Sequence, residues 1–308
     1  MPYHRRRVSS HRSRYVADAV PDYSHRFHAG NVGDVWKHCA LIEVLRRLAA
    51  ETAAVHYVET HAGEGLYPLG ATGEWTEGIG RLWSAPDLED GVVARYVGLC
   101  RRLAAGAAPP EWYPGSPLFA RAVLGAEAPL TLWERDSDAF ARLAKHVGNA
   151  PNTRLVDGDG LVALASVADG DVGPLAATTR ERGGVALRTV VLVDPPWTHK
   201  ADWIAVPDAL ARAAVALSDA CLVLWYPVKS LTRPNAMHAR LAAAGVATTL
   251  AELITTPLTS RRHRLNGSGV LLVRPPAGTV EALAAAAPVI GRLCATRAGI
   301  WSFRMAAT

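Results

Sequence analysis

The apolar run Val191, Leu192, Val193 leads directly into Asp194, Pro195, Pro196 and Trp197. Two prolines stiffen the chain there, so the Asp194 carboxylate and the Pro195 carbonyl are aimed at one point. Two fixed acceptors at one point can hold a single NH2 group. An exocyclic amine conjugated with a purine ring is a poor nucleophile; acceptors of this kind orient it and favour a tetrahedral nitrogen as it attacks a sulfonium methyl. The ring of Trp197 offers a face on which an extruded or unpaired base can stack. A plainer reading of the same residues is a rigid loop with a buried indole, since the chain has nine tryptophans and most must serve packing.

Three other segments carry groups suited to a nucleoside cofactor. Glu59 to Gly65, E-T-H-A-G-E-G, puts an acid at the end of an apolar run and two glycines, Gly63 and Gly65, in the turn that follows. Glycine lets the backbone approach a bound nucleoside closely. Glu134 ends the next apolar run, where a carboxylate can accept from both ribose hydroxyls. D-G-D-G at 157–160 places Asp159 where it can accept from an adenine amino group. Each has an ordinary alternative as a solvated strand end or a turn, and it is their succession after successive strands that favours a cofactor. The stretch Y-S-H-R-F-H-A-G-N-V-G-D-V-W-K-H, residues 23–38, is dense in aromatics and histidines; Lys37 and His38 could face the cofactor's carboxylate, with Tyr23 and His25 preceding them in extended chain.

These groups need elements to hold them. V-W-K-H-C-A-L-I-E-V-L-R-R-L-A-A has helical spacing and delivers the chain to the strand V-H-Y-V-E-T. Residues 71–115 are broken by Gly73, Gly78, Gly80, Pro86, Pro109 and Pro110 into short helical pieces, which predicts a small helical insertion. L-F-A-R-A-V-L-G and D-A-F-A-R-L-A-K-H-V-G read as helices; L-T-L-W-E-R, N-T-R-L-V-D, T-V-V-L-V-D and A-C-L-V-L-W-Y-P-V read as strands between helical text, so the sheet is parallel. T-T-L-A-E-L-I-T-T-P-L and G-V-L-L-V-R-P-P, separated by a polar loop, form a long hairpin at the end.

The 308 residues hold 33 Lys and Arg against 28 Asp and Glu, a formal charge of +5 that suits a polyanionic partner. Residues 1–22, with Arg5, Arg6, Arg7, Arg12 and Arg14, show no period and read as a basic flexible arm. No apolar segment follows these arginines, so a secretory signal is not expected, and no run is long enough to span a bilayer. Cys39, Cys100, Cys221 and Cys294 are scattered without metal-ligand spacing and read as reduced core thiols of a cytoplasmic protein.

From Tyr23 nearly to the end, the sequence resembles the bacterial large-subunit ribosomal RNA adenine-N6 methyltransferases of the J type. YSHRFHAGNVGDVWKH, ETHAGEGLYPLG, TGEWTEGIGRLW, WYPGSPLFAR, LVDPPW, LWYPV and GSGVLLVRPP carry the resemblance. It implies a Rossmann-like class I fold with a mostly parallel seven-stranded sheet, an antiparallel last strand and an inserted helical subdomain at about 71–115 of a methyltransferase domain spanning 23–308. It implies S-adenosyl-L-methionine as cofactor, contacted by His38, His61, Ser116, Glu134, Asp159 and Gly160 with Lys37 beside them. Asp194 would be the base or amine-orienting group, Tyr23 would contact RNA, and the substrate would be 23S rRNA, protein-free or in early assembly, acted on by a monomer without bound metal. Three departures stand out: the arm 1–22, a lengthened A-T-T-R-E-R-G-G-V-A-L-R segment, and Trp197 where the family usually has Tyr. The residues also admit a DNA adenine-N6 methyltransferase or a non-catalytic RNA-binding assembly factor.

Overall fold

The computed structural model describes residues 25–307 apart from 53, 87, 89–90, 105–109, 167–186, 261–264 and 297–299. The basic arm, Tyr23 and most of the lengthened A-T-T-R-E-R segment therefore lie outside the described residues.

After a 3-10 turn at His25–Phe27, helix α1 (Val32–Glu51) starts where the Asn31 side chain accepts from the Asp34 amide at 2.9 Å. It is buried along nearly its whole length against β9 (Gly267–Val273), α4 (Ser116–Leu124) and α9 (Thr279–Cys294), and the Trp36 indole donates to the Ala251 carbonyl at 3.0 Å. Such all-round burial leaves only a weak apolar stripe, as expected of an interior helix. Buried Glu43 is held by Arg46, Arg47 and Arg95; despite burial, these three bring its carboxyl down to about 2.

The strands β1 (Ala54–Glu59), β4 (Leu130–Glu134), β5 (Thr153–Asp157), β6 (Leu187–Val193), β7 (Cys221–Val228), β8 (Thr249–Ile254), β9 (Gly267–Val273) and β10 (Ser302–Ala307) form one sheet. Its order is β10-β8-β9-β7-β6-β1-β4-β5. The five strands from β7 to β5 pair in parallel, and β8, β9 and β10 are antiparallel. This is the expected Rossmann-like sheet with one correction, eight strands among the described residues where seven were expected. The added strand, β10, lies at an edge with nearly every residue exposed, so it has no alternating apolar face to announce it.

Between β1 and β4 the chain makes a two-stranded pairing, β2 (Leu66–Pro68) with β3 (Trp112–Pro114), around α2 (Ile79–Trp83) and α3 (Val92–Leu103). A 3-10 turn at Glu74–Glu77 and helices α4 (Ser116–Leu124), α5 (Ser137–Val147), α6 (Gly160–Ser166), α7 (Asp202–Ala216), α8 (Thr232–Ala243) and α9 (Thr279–Cys294) complete the described elements. Side chains of β6 alternate faces: Val190 and Leu192 join a core with Trp36, Tyr57 and Leu283, whereas Val191 and Val193 join one with Val206, Leu210 and Leu241. The four cysteines are buried and unbridged. Among the described residues no helix is long and apolar enough to cross a membrane.

Candidate active site

The chain leaves β1 for β4 and β5 on one side, then crosses back to β6 and β7 on the other. In open sheets of this kind ligands bind beyond the carboxyl ends of the strands at such a reversal. The loops there are stitched together by backbone bonds: Thr60 to Leu192 at 3.1 Å, Ala62 to Trp133 at 2.8 Å and Gly158 to Glu134 at 3.1 Å.

Glu134, at the end of β4, accepts the Gly63 amide on Oε2 at 2.8 Å and the Asp136 amide on Oε1 at 2.9 Å. Each oxygen keeps a lone pair for a further donor. Gly63 has φ 62°, and a Cβ there would fall 2.0 Å from the Tyr67 hydroxyl. Gly160 meets the same loop from the other side, since its Cβ would lie 2.4 Å from the Thr60 carbonyl oxygen. Asp159 accepts the Leu161 and Val162 amides on Oδ1, capping α6, and Arg135 on Oδ2 at 3.3 Å. Its turn role, left open by the sequence, is thus realised. His61 pairs with the Thr60 hydroxyl at 2.8 Å, and burial holds its imidazole below the usual value.

On the other side of β1, the Lys37 ammonium lies 2.6 Å from Asp194 Oδ2 and 2.8 Å from Asp34 Oδ1. Burial opposes its charge, but the two carboxylates prevail and raise the ammonium above the usual lysine range. Lys37 therefore faces Asp194, where the sequence placed it toward a cofactor carboxylate. Pro195 is buried. Trp197 departs most from expectation: it is 8% exposed, its indole donates to the Trp225 carbonyl at 3.1 Å, and its ring lies 4.4 Å from that of Trp203. The apolar neighbourhood of α7 encloses most of the ring, the arrangement of the buried-indole alternative. His38 is likewise enclosed, with Nδ1 2.6 Å from the Tyr113 hydroxyl and its ring against Phe119.

Ser116 opens α4 and donates to Glu59, whose other oxygen accepts from Tyr57 at 2.8 Å. Burial pushes the Glu59 carboxyl up to about 8, aided by the charge of Asp194, against the two hydroxyls and Lys37. The sequence marks an acid at this strand end but gives no sign of its partners, nor of two other links. Glu64 of the glycine loop takes a forked contact from Arg26 at 3.0 and 3.1 Å and one from Arg142 at 2.9 Å, tying the N-terminal stretch to the loop. Trp225 donates its indole N–H to the Gly33 carbonyl at 3.2 Å and lies 5.7 Å from the Lys37 ammonium. His25 begins the first 3-10 turn.

Comparison with known proteins gives a consistent outcome. The family model described as ribosomal RNA large subunit methyltransferase D, RlmJ, matches residues 52–306. A protein of Escherichia coli (strain K12) named ribosomal RNA large subunit methyltransferase J is 31% identical over 260 residues, covering 82% of this chain and 87% of that protein. Its namesake from Haemophilus influenzae is 30% identical with the same coverage. The crystal structure of a Legionella pneumophila protein shares the fold at a TM-score of 0.79 and 23% identity, covering 91% of this chain and 98% of that one.

Proposed function

The chain belongs to the ribosomal RNA large subunit methyltransferase J family, and from that premise we propose that it methylates the N6 amino group of an adenine in 23S rRNA, using S-adenosyl-L-methionine. One observation carries the reading: a carboxylate at the end of β6 whose Oδ2 is fixed by a buried ammonium. That contact sets the side-chain rotamer and leaves Oδ1, with the Pro195 carbonyl beside it in sequence, to accept from an incoming amine.

The residues at the β1, β4 and β5 edges fit the cofactor. Gly63 and Gly160 let the loops after β1 and β5 close against Tyr67 and the Thr60 backbone, and the Glu134 oxygens retain acceptor capacity for ribose hydroxyls. His61, neutral through burial, and the hydroxyl of Ser116 add polar contacts without excess charge. When bound, the cofactor supplies an electrophilic methyl. Asp194 orients the amine, and the proton released as the new bond forms passes to its carboxylate or through it to water. Trp197 acts in this reading as the anchor of the loop, held to Trp225 and Trp203. Tyr23 and His25 are the proposed RNA contacts.

The test is transfer of labelled methyl from S-adenosylmethionine to protein-free large-subunit RNA from cells lacking the gene, with duplex DNA in parallel and nucleoside mass spectrometry as readout. N6-methyladenosine is expected in RNA alone, and Asp194→Ala is expected to abolish it while cofactor binding by calorimetry persists. An active Asp194→Ala protein, or a cofactor-binding parent that makes no N6-methyladenine on either polymer, defeats the reading. Product on DNA alone reassigns the substrate.

A further inference from the structure

Asp34 lies one helical turn before Lys37 and is as deeply buried, 3% against 5% of side-chain surface. Both its oxygens are committed: Oδ1 to the Lys37 ammonium at 2.8 Å and Oδ2 to the Gly30 amide at 2.9 Å. Its own amide is capped by Asn31. A lysine head rides on a flexible four-carbon stem and has no directional preference of its own, so something rigid must set where it stops.

We propose that Asp34 is a positioning residue for methyl transfer, holding the Lys37 ammonium at the one place from which it fixes Oδ2 of Asp194. This rests on the reading of Asp194 given above. Three linked groups, two carboxylates and one ammonium, carry a net charge of −1 inside the protein. With Asp34 neutralised, the ammonium keeps only one of its two carboxylates. Removing a charged partner is costly for the buried group left behind, so the Lys37 head loses its fixed position and Oδ2 of Asp194 loses the contact that sets its rotamer.

Asp34→Asn is the informative substitution, because the amide oxygen can still accept from Gly30 while the charge is gone. Loss of a charged hydrogen bond of this kind corresponds to a fall in kcat of roughly 10- to 100-fold, with KM for RNA and affinity for S-adenosylmethionine expected within about twofold of the parent on the same scale. In a Lys37→Met background the same change is expected to add nothing, since Asp34 acts through Lys37. Asp34→Glu restores the charge and is expected to recover part of the lost kcat. Independently of any substrate, the Lys37 ammonium should give a slowly exchanging resonance in proton–nitrogen NMR spectra of the parent, lost in Asp34→Asn. Unchanged kcat in Asp34→Asn, a full effect persisting without Lys37, no advantage of Glu over Asn, or an ammonium signal indifferent to Asp34 each overturns the proposal. A parent protein that shows the coupled ammonium signal yet methylates no adenine leaves Asp34 as the anchor of Lys37 and removes the methyl-transfer reading instead.

Discussion

Replacing Glu59 with Gln should make the protein more resistant to rising pH. Glu59 is fully buried between Ser116 and Tyr57, and its carboxyl is pushed from the ordinary 4.5 up to about 8. Between those values the folded chain retains a proton that the unfolded chain has released. Stability therefore declines as pH rises through the window and levels off above about 8. Each pH unit is worth about 1.4 kcal/mol, giving a ceiling of about 5 kcal/mol across the interval. Gln is neutral at every pH and still offers an oxygen to one hydroxyl. His56, pushed down to about 4 by burial, gives an opposite slope below its ordinary 6.5, but does so in both proteins and cancels in their difference. Urea unfolding of parent and Glu59→Gln at about pH 5.5 and 7.5 should show the stability gap moving in favour of the variant by about 2–3 kcal/mol. Parallel curves over that range would mean that Glu59 is ionised in the folded protein, and the account of its burial would be wrong.

Two further substitutions probe the cofactor side. Gly160→Ala forces a methyl against the Thr60 backbone, which has no flexible end to yield; a loss of about 1–3 kcal/mol in denaturant unfolding is expected, and unchanged stability would show that the α6 turn shifts freely. Glu134→Gln exchanges one accepting oxygen for a donor, with an expected 10- to 100-fold weakening of S-adenosylmethionine binding in calorimetry, roughly the worth of one charged hydrogen bond. Retained affinity would remove Glu134 from the cofactor contacts.

The parallel core of the sheet was legible because β1, β4, β6 and β7 are short apolar runs ended by glycine, acid or proline, and because helical text separates them. The same punctuation located Glu134, Asp159 and Asp194 at strand ends, and topology then brought those ends to one edge. Pairings between distant segments left no local trace. Ser116 with Glu59 spans 57 positions and Arg26 with Glu64 spans 38, distances over which neither helical nor strand period carries information. Trp197 shows a different limit. Residue type pointed outward to chemistry, whereas apolar neighbours on α7 drew its ring inward.

Trp225 sits at the junction of three of these features. Its carbonyl holds the Trp197 indole, its own indole holds the Gly33 carbonyl, and its ring faces Lys37. The proline loop, β7 and the start of α1 are thereby a single mechanical unit, although 157 positions separate Lys37 from Asp194. Anyone transplanting the D-P-P-W loop into another scaffold, or redesigning it for a different amine, would have to carry a strand and a helix end along with it. The four-residue motif is the visible edge of a much larger interchangeable part.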